Sequence, residues 1–375
     1  MAQSIRDNIV RVELGERSYD IVIRNGSLHG LGEALGGFSF SSKAAIVSNP
    51  TVFDLYGETV LQSLRQSGFE VVCALMKDGE AFKNLETCCD LWDGLLAERL
   101  DRRSPLIALG GGVVGDVAGF IAATYMRGIP YVQVPTTLLA QVDSSVGGKT
   151  GIDHAEGKNL IGCFYQPSLV WIDTATLKTL DERQLRCGLA EIVKYGMIRD
   201  AGLFADLEEE SESLLRLAPE VWGRVIGRCC ELKAEVVAQD EREGGLRAIL
   251  NFGHTIGHAV EASAGYRDVS HGEGVAIGMV AETRLAVGRG MAEETVFNQL
   301  EALLKQIGLP TEIPADASPK RLIRLMTVDK KAQEGAIRVV LPTSIGRVDL
   351  PQPVSPEEIE GVLEPQSDKP GKTGK

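Results

Sequence analysis

The apolar run Leu106–Leu109 passes without a spacer into Gly110-Gly111-Gly112-Val113-Val114-Gly115-Asp116, and the residues after it read as a helix. Three glycines at GxGxxG spacing between a strand and a helix constrain this chain more than any other feature. The turn must be tight, and the helix must begin with its backbone N–H groups at the carboxyl end of the strand. A helix start of that kind attracts a pyrophosphate through its unpaired N–H groups and the positive end of its dipole. A plain strand-to-helix turn needs the same glycines, so the motif alone does not separate the two. The usual fingerprint also carries a ribose-binding acid about 20 residues on. Here no acidic residue stands between Asp116 and Asp143. Asp78 and Glu80 are the available substitutes, although on local evidence a solvated loop is the simpler account of both.

The segments around this turn alternate in character. Strands are expected at Ile9–Leu14, Asp20–Arg24, Lys43–Ser48, Glu70–Met76, Pro105–Leu109, Tyr131–Pro135 and Leu169–Ile172. Helical patterns lie between several of them, as at Leu85–Arg99 and Val114–Tyr125, which points to a mostly parallel α/β sheet of Rossmann type. From Asp181 to about Lys305 the pattern is helical, with Ser213–Ala238 reading as one or two amphipathic helices. A short β-like stretch follows at Ala336–Leu341. The expected division is an α/β nucleotide-binding domain over 1–180, an all-helical domain over 181–365, and a polar, disordered tail over 366–375.

Composition excludes some functions. The net charge of −13 argues against nucleic acid as a partner, because phosphate backbones need clustered cations. The seven cysteines form no CxxC pair and are odd in number, which suits reduced, mostly buried thiols in a cytoplasmic protein. The first residues have no apolar signal core, and no run of ~18 apolar residues spans a membrane.

Of five histidines, three fall within eighteen residues: His254, His258 and His271. His254 and His258 are four apart and share a face if helical, the spacing used for metal ligation. Thr255 stands where the HExxH protease motif has glutamate, so that motif is absent. Two or three imidazoles with a carboxylate suit Zn²⁺ and leave one position open.

Several basic residues sit among glycines and small residues: Lys149, Lys158 beside Asn159, Lys194, and Arg247 as a further candidate. Lysines in such settings can hold phosphate or carboxylate groups as point charges. Glu191 and Lys194, three apart, either face one site or form an ordinary surface pair, and spacing alone favours the surface pair.

Seven blocks, in order, resemble the 3-dehydroquinate synthase family: DGEAFKN, LGGGVVGDVAGFIAATYMRGI, VPTTLLAQVDSSVGGKTGID, GKNLIGCFYQP, GLAEIVKYG, LNFGHTIGHAVE and SHGEGVAIGM. The resemblance spans about Asp78 to Leu350. It implies a Zn²⁺ or Co²⁺ site at Glu191, His254 and His271, which replaces the pairing of His254 with His258. His258 becomes a substrate-side catalytic residue. NAD falls to Asp78, Glu80, Lys83, Gly112, Val113, Val114, Gly115, Asp116, Thr136, Thr137, Lys149, Lys158 and the segment Thr176, Leu177, Lys178, Thr179. Substrate groups fall to Asp143, Lys149, Asn159, Lys194, Lys233, Arg247 and Asn251, with Lys330 or its neighbour Lys331. Arg127 resembles the arginine that reaches a neighbouring subunit's site in a homodimer. Asn49 stands where some relatives place an acidic residue near the adenosine.

The implied substrate is 3-deoxy-D-arabino-heptulosonate 7-phosphate, whose phosphate and carboxylate account for cations in an acidic chain. The implied reaction is a transient oxidation, phosphate elimination, reduction and intramolecular aldol closure, with no net redox change. Related sugar phosphate cyclases and a polyol dehydrogenase of the same architecture are the alternatives. A purely nucleotide-binding module has no use for a metal triad.

Overall fold

The computed structural model describes residues 8–265, 268–329 and 336–363. Its main sheet takes strands β1 (Asn8–Val12), β2 (Tyr19–Arg24), β3 (Lys43–Ser48), β4 (Glu70–Leu75), β5 (Leu106–Gly110), β6 (Tyr131–Pro135) and, after the hairpin β7 (Lys149–His154) and β8 (Gly157–Phe164), β9 (Leu169–Asp173). The sheet order is β1-β2-β9-β6-β5-β3-β4, parallel except for the β1–β2 pair. Strands β5, β6 and β9 are buried at every residue, as a parallel sheet covered on both faces requires. Alternate side chains feed two cores. Ala45, Val47, Leu106 and Ala108 face one, and Ala44, Ile46, Ile107 and Leu109 the other.

Helices α1 (Leu31–Leu35), α2 (Pro50–Val52), α3 (Glu58–Gln66), α4 (Leu85–Ala97) and α5 (Gly112–Thr124) belong to this region. The expected strands are present with ends shifted by one or two residues, within the usual uncertainty of element ends. The β7–β8 hairpin is not expected from the sequence. Its strand pattern is broken by Gly151 and Gly162, which face each other so closely that a Cβ on Gly162 would stand 2.2 Å from Thr150 O.

The chain then forms α6 (Glu182–Arg199), α7 (Ala201–Leu215), α8 (Pro219–Gln239), α9 (His254–Ser263), α10 (His271–Gly288), α11 (Glu294–Gln306), α12 (Pro319–Asp329) and α13 (Pro356–Leu363). Two small ribbons accompany them: β10 (Ile337–Val339) with β13 (Gln352–Val354), and β11 (Pro342–Ser344) with β12 (Arg347–Val348). Among the described residues, those up to 188 and those of 212–247 form one compact unit, and those of 189–211 and from 248 on form the second. The chain therefore passes between units at 188/189, 211/212 and 247/248, where the sequence reading divides it once, at 180/181. Helix α8 belongs with the sheet because Gly227 lies against Asn8 of β1: a Cβ there would meet Asn8 Nδ2 at 2.0 Å. The expected tail lies outside the described residues, as do Lys330 and Lys331. Among the described residues no helix is long and apolar enough to cross a membrane.

Candidate active site

The expected site residues fall into both units, and each set is described within its own.

In the sheet unit, the strand order reverses between β3 and β5: β4 lies on one side of β3, and β5 on the other. That reversal opens a crevice at the carboxyl ends of the two strands, where parallel α/β sheets bind nucleotides. Gly110–Gly112 stands at this end of β5, and Asn49 at that of β3. Packing explains part of the glycine pattern. A Cβ on Gly110 would lie 2.7 Å from Val114, and one on Gly115 2.7 Å from Gln133 Oε1. Gly112 opens α5, whose first-turn N–H groups have no carbonyl partner within the helix. Strand end, glycine turn and open helix start fit a pyrophosphate.

Among the residues expected to hold NAD, Val114 and Leu177 are core side chains, so only their backbone can meet a ligand. Thr136 and Thr176 are also buried. Asn49 caps α2 by accepting the Val52 N–H at 2.9 Å. Asp78 accepts from Thr51 Oγ1 at 2.9 Å, and Glu80 lies 3.2 Å from Lys158 Nζ. Lys83 is buried and donates to Asp116 and to Asn159, each at 2.5 Å. Burial pulls the Lys83 ammonium down, but Asp116 and Glu80 more than reverse this and hold it above its usual range. Burial raises the Asp116 carboxyl further than Lys83 lowers it.

The sequence reading misses two residues of this set. Asp153 accepts the Asn159 N–H at 2.8 Å, and its own N–H meets Lys83 O at 2.8 Å. Asn159 is thereby held at φ 56°, a conformation asparagine tolerates better than most residues. Asp173 accepts from the N–H groups of Gly26, Ser27 and Leu28 at 2.6, 2.6 and 3.0 Å, and caps the 3₁₀ turn Thr174–Thr179. An acid ending the apolar run LVWID is the sequence signal by which it could have been found.

Three expected substrate cations lie in the same unit, each with a partner. Lys149 is 2.5 Å from Glu243, and Lys233 is 2.9 Å from Asp143. Arg247 is buried and donates to the carbonyls of Gly147, at 3.1 Å, and Glu241. Arg127 is exposed at φ 67°, between Met126 at φ 48° and Gly128 at φ 118°. Its guanidinium makes no hydrogen bond to the end of α5 among the described residues, which disfavours the simple helix-cap role.

In the helical unit, α6 carries Glu191 and Lys194. Both are buried, and they pair with each other, so the surface-pair reading is overturned. The imidazole Nε2 atoms of His254 and His271 each stand 3.3 Å from Glu191 Oε1. Helices α9 and α10 bring them there by crossing glycine on glycine. A Cβ on Gly278 would lie 1.9 Å from Gly253 O, and one on Gly257 2.7 Å from Gly274 O. His258, one turn beyond His254, sits edge-on to it with ring centroids 5.3 Å apart. Burial raises the Glu191 carboxyl, but Lys194 and His254 together hold it well below its usual range. Burial pushes His254 down to about 4. His271 is also desolvated, yet the neighbouring Glu191 and Glu261 carboxylates lift it well above the ordinary histidine range.

This arrangement fits a divalent ion. Neither oxygen of the buried Glu191 carboxylate has a properly aligned hydrogen bond. Three donors, each 2.0–2.1 Å from a tetrahedral ion, lie about 3.3 Å apart. The two Nε2···Oε1 separations have that value. Both imidazoles are also tied from behind: His254 Nδ1 is 3.0 Å from Phe252 O, and His271 Nδ1 is 3.4 Å from Glu261. Such outer contacts fix the tautomer that presents Nε2.

Residues 73–187 match the family model described as 3-dehydroquinate synthase N-terminal, and residues 188–332 match 3-dehydroquinate synthase C-terminal. The chain belongs to the 3-dehydroquinate synthase family. A 3-dehydroquinate synthase of Thermodesulfovibrio yellowstonii is 49% identical over 354 residues, covering 94% of this chain and 99% of the relative. Among solved structures, 2-epi-5-epi-valiolone synthase from Streptomyces hygroscopicus subsp. jinggangensis, with NAD⁺ and Zn²⁺ bound, is 33% identical. Its TM-score is 0.85, with 94% of this chain and 97% of that one covered. A 2-deoxy-scyllo-inosose synthase complexed with carbaglucose-6-phosphate, NAD⁺ and Co²⁺ is 27% identical at TM-score 0.87, covering 95% and 99%. Membership of the 3-dehydroquinate synthase family agrees with the expected fold class, a parallel α/β sheet region followed by a helical region.

Glu261 and Glu282 are further buried carboxylates of this family member that the sequence reading does not single out. Glu261 follows His254 by seven residues and so shares its helix face, a spacing readable from HTIGHAVE. Glu282 lies in an apolar helix with no local motif to mark it.

Proposed function

We propose that this chain converts 3-deoxy-D-arabino-heptulosonate 7-phosphate to 3-dehydroquinate and phosphate, as an NAD- and metal-dependent lyase. The observation that carries the reading is the convergence of His254 and His271 on one oxygen of buried Glu191, in a chain whose glycine turn opens α5 at the β3/β5 reversal. When bound, NAD⁺ supplies a hydride acceptor, and Zn²⁺ or Co²⁺ a Lewis acid for alcohol oxygens.

The chain's own residues do the rest. Glu191, His254 and His271 hold the ion, and Lys194 offsets the charge of Glu191. His258 takes up the proton of the alcohol that is oxidised and returns it on reduction. Lys149, Lys233, Arg247, Asn159 and Asn251 orient the phosphate, carboxylate and hydroxyl groups, with Asp143 holding Lys233 in place. Asp78, Glu80, Lys83, Lys158 and the 176–179 segment line the nucleotide. Arg127 completes the phosphate site of a second copy in a homodimer: its strained, exposed segment carries a guanidinium with no hydrogen-bond partner among the described residues. The conversion restores the oxidation state it starts from, so NAD turns over catalytically.

Supplying the heptulosonate phosphate with a trace of NAD⁺ tests the reading. Many phosphates are released per NAD⁺ without NADH accumulating, chelation stops the reaction, and Zn²⁺ or Co²⁺ restores it. Stoichiometric NADH favours the polyol dehydrogenase alternative. Turnover of sedoheptulose 7-phosphate or glucose 6-phosphate in preference favours another cyclase.

A further inference from the structure

Two contacts behind His254 meet in one peptide group. Glu282, fully buried on α10, accepts the Gly253 N–H at 2.8 Å. Phe252 O lies 3.0 Å from His254 Nδ1. The Phe252 carbonyl and the Gly253 N–H are the two ends of a single planar amide. We infer that Glu282 is a positioning residue that acts on His254 through this peptide. Its carboxylate draws on the N–H and makes the carbonyl opposite a stronger acceptor. That acceptor keeps the ring proton on Nδ1 and turns the Nε2 lone pair toward Glu191. The inference rests on the metal reading of Glu191, His254 and His271.

The geometry leaves this peptide little freedom. Gly253 is left-handed at φ 78°, and a Cβ there would meet Met279 Cγ at 2.6 Å and Val275 O at 2.7 Å. His271 has a direct counterpart in Glu261, 3.4 Å from its Nδ1. One imidazole is thus backed by a carboxylate directly, and the other through an amide. A glutamine at 282 would bond the same N–H without a desolvated charge.

The test compares zinc affinity, by competition with a chromophoric chelator, in the wild type and Glu282→Gln. The substitution keeps the shape and the acceptor but removes the charge. It weakens zinc binding roughly tenfold, the scale of outer-contact substitutions at metal sites, while the urea midpoint stays near that of the wild type. In a His254→Ala background the same substitution has no further effect. Unchanged affinity in Glu282→Gln, or an equal loss without His254, overturns the inference. Should the variant not fold, ¹⁵N-histidine spectra of the metal-free wild type decide. The proton of neutral His254 sits on Nδ1 if the relay operates, and a neutral ring protonated on Nε2 overturns it. A wild-type chain that binds no zinc sinks the metal reading instead, and the tautomer measurement still judges the relay.

Discussion

The glycine-on-glycine crossing of α9 and α10 is open to a direct test. In Gly278→Ala the new Cβ would stand 1.9 Å from Gly253 O and 2.9 Å from Gly257 N, against an ordinary contact of 3.4 Å or more. Both obstacles are backbone, so no side-chain rotation relieves the clash. The helices must part by about 1.5 Å, the difference between 3.4 and 1.9 Å. Overpacking a core costs roughly 1–3 kcal/mol when side chains can adjust. With only backbone to move, the expected loss is at the top of that range, about 3 kcal/mol. The same displacement shifts the Gly253 segment that leads into His254, so zinc affinity falls as well. Gly288 of the same helix has nothing within 4 Å of its Cβ position. Gly288→Ala therefore gains up to about 0.5 kcal/mol from helix propensity. Urea unfolding of the metal-free proteins measures both. Equal effects from the two substitutions, or a neutral Gly278→Ala, would refute the argument that the crossing depends on glycine.

Lys83→Met leaves Asp116 without its cation. Breaking such a pair costs about 3 kcal/mol, the low end for buried pairs because Asp116 keeps 22% exposure. NAD affinity falls with it, and a urea midpoint within experimental error of the wild type contradicts the role. Glu358 is held down to about 2, first by its hydrogen bond with Arg289 and then by the Ser355 N–H. A depressed carboxyl stabilises the fold above its unfolded value of 4.5 and loses that contribution as pH falls toward 2. The pair is partly exposed, so the gap between wild type and Glu358→Gln is at most about 1 kcal/mol at pH 7, closing near pH 2. A gap that widens in acid would reverse the sign. Arg127→Ala and Lys194→Ala are each nearly inactive alone, and mixing them restores activity, because one of the two sites in a mixed dimer receives both native groups. No recovery despite proven subunit exchange means that Arg127 serves its own chain.

The sheet was legible because its strands are short apolar runs of β-branched residues between turn signals, and a buried parallel strand leaves just that trace. The β7–β8 hairpin was not, since the glycines that let its strands meet also erase the alternation, and the basic residues it carries draw attention to chemistry instead. The unit boundary was hidden for a different reason. Helix α8 looks like its helical neighbours, and contacts distant in sequence, such as Gly227 against Asn8 and Lys233 with Asp143, assign it to the sheet unit. At the candidate metal site the histidines stood out in a histidine-poor chain, but spacing paired His254 with His258, and only the family resemblance pointed to Glu191 and His271. Their backing was partly legible: Glu261 lies on the His254 face, whereas Glu282 reaches Gly253 from 29 residues away.

The sequence suggests cations gathered for an anionic substrate in a chain of charge −13. The structure gives each of five such lysines a carboxylate in its own unit: Lys83 has Asp116, Lys149 Glu243, Lys158 Glu80, Lys194 Glu191 and Lys233 Asp143. A paired lysine is locally neutral, so these residues project little field into solvent and do little to steer an anion from a distance. What the carboxylates contribute is placement. Each holds a flexible four-carbon stem in one conformation, and at buried Lys83 the Asp116 carboxylate also keeps the ammonium charged against the pull of burial. Under the proposed function, an incoming phosphate or carboxylate shares an ammonium that is already fixed, so selection falls on the spacing of the ligand's anionic groups more than on its total charge. On this account the KM for the heptulosonate phosphate depends only weakly on salt, while removing Glu243 or Asp143 loosens its lysine and raises KM even though each removal makes the site more positive.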